Sequence, residues 1–174
     1  MAGTKETRKR LNNTLIFIVK LLLDNNIKNW FIGYGTLLGI VRDNNCIDND
    51  DDIDIIIDSN YFDVINKILK DNNINIIKKN TKKIIKTIPD NNYTSIDFYC
   101  ANYIDETKSF NDTWEEVLWT NCKNSENNFL NKEWNGIILN LPLNYEKKLE
   151  GRYGKTWMTP ISNYKGPSPH LRIL

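Results

Sequence analysis

Residues 35–42 read Gly35-Thr36-Leu37-Leu38-Gly39-Ile40-Val41-Arg42, and within ten residues follows Asp50-Asp51-Asp52-Ile53-Asp54-Ile55-Ile56-Ile57-Asp58. Just upstream, Trp30-Phe31-Ile32 is a short apolar run that stops at Gly33, the pattern of a strand entering a tight turn. Thr36 is placed to cap a short helix running through Arg42. Strand, glycine turn, helix and acidic strand in this order predict an α/β arrangement. Gly33 and Gly35 bracket Tyr34 at the handover from strand to helix, where backbone N–H groups and the helix dipole favour an anion such as phosphate. Arg42, fixed by the same helix, is the residue type that pairs bidentately with phosphate.

Side chains alternate along residues 53–57, so Ile53, Ile55 and Ile57 share one face while Asp52, Asp54 and Ile56 share the other. The isoleucine face is expected to be the core. Ionised carboxylates at 52 and 54, about 6 to 7 Å apart, repel by roughly 2 to 3 kcal/mol at an effective dielectric of about 20. Asp50 and Asp58 add to that crowding, and a charge at Asp54 inside an apolar run is costly unless compensated. A positive group therefore belongs on this face. Hard divalent cations such as Mg²⁺ or Mn²⁺ take carboxylate oxygens together with substrate phosphates; a solvated acidic loop is the plainer alternative.

A calcium loop fits less well. Asp48, Asp50 and Asp52 match its first three ligand positions, but Ile53 stands where the loop needs glycine and Ser59 where it needs glutamate. A third acid is Asp97 in Ser95-Ile96-Asp97-Phe98-Tyr99, where Ile96 and Phe98 face the core and Asp97 faces opposite. If that strand lies beside residues 53–57, Asp97 completes a three-carboxylate cluster able to ligate metal or to accept the proton of an attacking hydroxyl.

Outward from this segment, Leu11, Leu15, Ile18 and Leu22 recur at helical spacing, which predicts an amphipathic helix over residues 5–25. Asp58-Ser59 supply a turn and N-cap for a helix carrying Phe62, Ile65, Ile68 and Leu69. Residues 74–77, 83–88 and 95–100 are strand candidates that extend one sheet. Residues 102–116 carry no clear period, residues 134–141 read as a strand, and residues 144–153 as a helix ending at Gly154. The Pro-rich tail, which holds the single histidine, His170, reads as irregular.

The 174 residues suit one domain, 1–174, with its own core. Twenty-three basic against 22 acidic residues leave a net charge of +1, so no global field draws in nucleic acid or an anionic membrane. Cys46, Cys100 and Cys122 lack the spacing of a zinc or redox motif, which points to reduced thiols and a cytoplasmic protein. No run reaches the length of about 18 apolar residues that a membrane span needs. The recurrent Asn-Asn pairs fall between elements and carry no chemistry. No Ser-His-Asp arrangement is visible.

Tyr34 to Arg42, Ile47 and Asp50 to Ile55, followed by Leu141-Pro142-Leu143-Asn144, Leu149, Tyr153-Gly154 and Trp157-Met158, resemble the two conserved blocks of the LicD and fukutin-related family. The chain departs from that pattern at Asp48-Asn49, where Pro-Trp is common. The resemblance implies a nucleotidyltransferase-like (polymerase-beta-like) mixed sheet flanked by helices. It implies transfer of a phospho-alcohol, such as phosphocholine or ribitol or glycerol phosphate, from a CDP-linked donor to a glycan hydroxyl, releasing CMP. Asp50, Asp52, Asp54 and Asp97 match the family's acids for Mg²⁺ or Mn²⁺, with Asp52, Asp54 and Asp97 catalytic. Gly35, Thr36 and Arg42 match the turn and arginine expected at the donor phosphates. Tyr153, Gly154 and Trp157 match positions that support the fold or sit beside the acceptor. A nucleotidyltransferase acting on a nucleoside triphosphate and an inactive nucleotide- or metal-binding relative are the rivals.

Overall fold

The computed structural model describes residues 5–77, 81–161 and 172–174; His170 and most of the Pro-rich tail lie outside the described residues. Helix α1, Arg8–Asp24, starts where the Thr7 side chain accepts the Arg10 amide at 3.4 Å. It buries Leu11, Leu15, Ile18, Val19 and Leu22 along the expected stripe, and left-handed Asn26 turns the chain away after its end.

After β1 (Trp30–Ile32) and α2 (Tyr34–Arg42) comes β2, Asp52–Asp58. A single 3-10 turn at Ser59–Tyr61, capped by Asp58, leads into α3 (Phe62–Asp71). The strands β3 (Ile76–Ile77), β4 (Ile84–Thr87), β5 (Ser95–Ile104), β6 (Ser109–Asp112) and β7 (Val117–Trp119) follow, then β8 (Leu130–Trp134), β9 (Ile137–Leu141) and α4 (Tyr145–Tyr153). Among the described residues seven strands form one mixed sheet in the order β1-β2-β5-β4-β3, extended by β6 on β5 and β7 on β6. The pair β2 and β5 is parallel; β1 on β2 and β4 on β5 are antiparallel.

Long β5 organises the molecule: residues 95–101 pair with β2, residues 97–99 also pair with β4, and residues 102–104 pair with β6. Three parts of the sequence reading need correction. Residues 102–116 are not irregular, because β5 runs on to Ile104 and β6 follows. Residues 134–141 are the end of one strand and all of another: Asn135 and Gly136, both at positive φ, close a two-residue hairpin between β8 and β9. Finally, the isoleucine face is not the only buried one. Ile56, on the face of Asp54, is as fully buried as Ile55, with Gly33 packed so close on it that a Cβ there would lie 2.8 Å from Ile56 Cγ1.

All three cysteines are buried and unpaired with one another. Among the described residues no helix is long and apolar enough to cross a membrane.

Candidate functional site

The register of the central strands sets one row of side chains. Asp54 of β2 is opposite Asp97 of β5, and Asp97 is opposite Lys86 of β4. Residues paired in this way point to the same face, so the row reads Asp54, Asp97, Lys86 across three strands. Asp52 lies two residues along β2 on that same face. The condition set for Asp97, that its strand lie beside residues 53–57, is met. Asp54 is 5% exposed and Asp97 1%.

Helix α2 packs on this face with its N-terminus against Asp54. The Gly35 and Thr36 amides donate to Asp54 Oδ2 at 2.9 and 3.4 Å, and the Asp54 amide donates to Thr36 Oγ1 at 2.8 Å. Thr36 therefore does not cap the helix from outside; α2 begins at Tyr34, after Gly33, and Asp54 from the neighbouring strand takes the capping role. The amides expected to meet phosphate at Gly35 and Thr36 are engaged by a carboxylate of the protein. Gly35 lets the carboxylates approach closely: a Cβ there would lie 2.9 Å from Asp50 Oδ2 and 3.4 Å from Asp54 Oδ2, so the Asp50 side chain would have to shift. Gly39 is required, since its Cβ would meet the Asn45 carbonyl oxygen at 2.6 Å, where the loop leading to β2 crosses the helix.

Tyr99, two residues beyond Asp97 and on the same face, donates its hydroxyl to Asp54 Oδ1 at 3.2 Å. Behind it, Tyr34 at φ +40° stacks edge-on against Tyr99 and donates to Asp112 Oδ2 at 2.5 Å. Asp112 also accepts the Trp114 and Glu115 amides, and Arg152 of α4 lies over the Tyr34 ring at 4.9 Å. Burial, then the Asp112 charge, pushes the Tyr34 hydroxyl far above the usual phenol range, so it stays a neutral donor.

The electrostatics of the row are unbalanced. Burial, then the charges of Asp54, Asp97, Asp51 and Asp50, pushes Asp52 up to about 9. Burial, then Asp50 and Asp97, raises Asp54 to about 8, against the pull of the Thr36 amide and the Tyr99 hydroxyl. Asp50 is raised by burial as well. Among the described residues a cation that faces this group is Lys86, whose Nζ is paired with Asp97 Oδ2. Once Asp52, Asp54 and Asp97 are all ionised, three carboxylates against the Lys86 ammonium leave two negative charges, which a divalent ion would balance. The donor set is all hard oxygen, so these residues fit Mg²⁺ or Mn²⁺. Just before the strand, Asp50, Asp51 and Asp52 bring one carboxylate oxygen each within 4.8 Å of the others, the only acid group so close among the described residues. Asp58, at the far end of β2, is occupied by the Asn60 amide and the Asn29 side chain and takes no part.

On the other side of Gly35 and Asp50, which line it, opens a cleft of about 1350 Å³ whose walls include none of Asp52, Asp54, Asp97 and Lys86. Arg42 stands on its wall, held by Asp43 through Nε and Nη2 at 3.0 and 2.8 Å. That guanidinium holds the Asp43 carboxyl below its ordinary range. Tyr153 and Trp157 also line it, both half-buried, and Asp48-Asn49, where the chain departs from the expected Pro-Trp, form part of the wall.

The structure thus brings Asp50, Asp52, Asp54 and Asp97 to one face with Gly35 and Thr36, and sets Arg42 in the adjoining cleft. Sequence reading missed Lys86, Tyr99 and Asp112. Lys86 was signalled as the one charge within the apolar run Ile84-Ile85-Lys86-Thr87, on a face already known to need a cation. Tyr99 follows from parity with Asp97; nothing local marks Asp112.

The family model described as LicD/FKTN/FKRP, nucleotidyltransferase domain, matches residues 26–136. No curated protein matches the chain. Among solved structures, the lincosamide antibiotic adenylyltransferase LnuA, lincomycin-bound, is similar at a TM-score of 0.54 and 16% identity, over 82% of this chain and 84% of that one. The antibiotic-resistance factor ANT(2'')-Ia is similar at a TM-score of 0.57 and 12% identity, over 78% of this chain and 66% of that one. These likenesses identify the nucleotidyltransferase-like fold.

Proposed function

The chain belongs to the LicD/FKTN/FKRP family of nucleotidyltransferase domains, and on that footing we propose that it is a metal-dependent phosphotransferase that moves a phospho-alcohol from a CDP-linked donor to a glycan hydroxyl, releasing CMP. The observation that carries this reading is the row of Asp54 opposite Asp97 on parallel strands, with Asp52 on the same face and a cleft alongside.

Asp50, Asp52, Asp54 and Asp97 are the residues that would hold Mg²⁺ or Mn²⁺, and such an ion, when bound, neutralises charge on the phosphoryl oxygens. The remaining work falls to the chain itself. Asp97 accepts the proton of the attacking hydroxyl as the bond to phosphorus forms and CMP departs. Arg42, oriented by Asp43, meets the donor phosphates with its remaining N–H groups, since a guanidinium carries five. Tyr153 and Trp157 offer ring faces to the alcohol or to the acceptor sugar. The amides of α2, fixed on Asp54, keep the carboxylate from turning during the reaction, so most of the rate enhancement is positional and electrostatic.

A second reading is favoured by the likeness to LnuA, an adenylyltransferase: transfer of a nucleoside monophosphate from a nucleoside triphosphate. One product assay separates the two. The protein is incubated with CDP-choline, CDP-ribitol, CDP-glycerol or a nucleoside triphosphate, each with Mg²⁺ or Mn²⁺ and with a panel of glycan acceptors that carry free hydroxyls. Release of CMP from a CDP-alcohol supports the phosphotransferase, and pyrophosphate from a triphosphate supports the second reading. Metal binding without either product overturns both and leaves a binding module.

A further inference from the structure

Lys86 is the unassigned residue of the row. Its register partner is Asp97, its side chain is 18% exposed, and Nζ is paired with Asp97 Oδ2. Asp97 is one of the carboxylates that would hold a divalent ion on this face, so ammonium and metal would compete for it. An ammonium is a compact charge on a flexible four-carbon stem, and it needs an anionic partner wherever it is partly buried. With Asp97, Asp52 and Asp54 engaged by a metal, the anion left to partner Nζ would be a phosphate of the donor.

Resting on the phosphotransferase reading above, we propose that Lys86 is a phosphate-binding residue that holds Asp97 in the metal-free protein and passes from Asp97 to a phosphoryl oxygen when a divalent cation binds. The residue thereby makes donor binding depend on metal binding. The metal-free protein keeps its ammonium on Asp97, and only the loaded protein has it available for an anion. Asp54 offers no such device, because its partners are backbone amides and a neutral tyrosine hydroxyl, none of them a cation that a metal would displace.

The test uses Mn²⁺ alone, followed by inorganic pyrophosphate as the anion probe, on the full chain. Calorimetric titration with Mn²⁺ compares wild type, Lys86→Met, Lys86→Arg and Asp52→Asn. Removal of the competitor in Lys86→Met should tighten Mn²⁺ by about threefold to tenfold, the range of a partly exposed ion pair. At saturating Mn²⁺ the same variant should bind pyrophosphate roughly tenfold more weakly, while Lys86→Arg stays within about twofold of wild type. If Lys86→Met does not fold, Lys86→Gln replaces it. In wild type, the Lys86 ¹³Cε signal should shift on saturation with diamagnetic Mg²⁺ and again on adding pyrophosphate. Mn²⁺ binding that requires Asp52 but is unchanged or weakened in Lys86→Met overturns this inference alone. So does unchanged pyrophosphate affinity in that variant. Absence of Mn²⁺ binding by wild type overturns the phosphotransferase reading and this inference with it.

Discussion

The two sides of the carboxylate row are built differently. On the α2 side, Asp54 is held by the Gly35 and Thr36 amides and the Tyr99 hydroxyl, a set of fixed dipoles that belong to the fold. On the β4 side, Asp97 at the same level is held by Lys86, a full charge on a mobile stem. Both acids are buried and both sit in the same register, yet one is locked and the other is exchangeable. The difference separates architecture from chemistry: Asp54 joins helix to sheet, whereas Asp97 is the acid whose partner can be replaced without disturbing the backbone.

Substitutions can break that comparison, and the largest effect is expected in turnover. Asp52→Asn and Asp97→Asn should each lower transfer by about a thousandfold, since they remove charge where the phosphoryl group is stabilised, while the far-UV circular dichroism stays that of wild type. Next comes Asp54→Ala, which strands the amides at the start of α2 and should cost about 3 kcal/mol in urea unfolding. Asp54→Asn keeps an oxygen for those amides and should stay folded while losing activity. Equal stability of the Ala and Asn variants would erase the distinction between the two sides.

A pH series is third. Asp52 and Asp54 are raised from 3.8 to about 9 and about 8, so the folded protein binds protons that the unfolded chain releases. Their contribution to stability is full below about 3.8 and is lost as pH rises through about 8 to 9. Thermal melts of metal-free protein should therefore lose stability between pH 6 and 9 on the order of kilocalories, and Mn²⁺ should restore more of it at the higher pH. The smallest effect is Tyr99→Phe, which deletes one hydrogen bond to Asp54 and should cost about 1 kcal/mol, read in the same urea titration.

Much of this was legible in the sequence, for identifiable reasons. The carboxylate face followed from the period of two along β2, and the α1 stripe from helical spacing, because both signals are local. The juxtaposition of Asp54 with Asp97 depended on a strand pairing between residues 43 positions apart, which parity restricts but cannot choose. The role of Thr36 was misread because its helix has its capping carboxylate on another strand. The β8–β9 hairpin was merged into one strand although Asn135-Gly136 is a strong turn signal. Asp112 was out of reach, since its importance comes from Tyr34, 78 residues away.

The central claim is that the strand face of Asp52, Asp54 and Asp97 is the metal centre of the transferase, and crystals soaked in Mn²⁺ test it most directly through anomalous scattering. A Mn²⁺ peak coordinated by Asp52 and at least one of Asp54 and Asp97, with Lys86 withdrawn from Asp97, is the predicted result. A peak confined to the loop acids Asp50 and Asp51, or no peak at saturating Mn²⁺ with Lys86 still on Asp97, would contradict it.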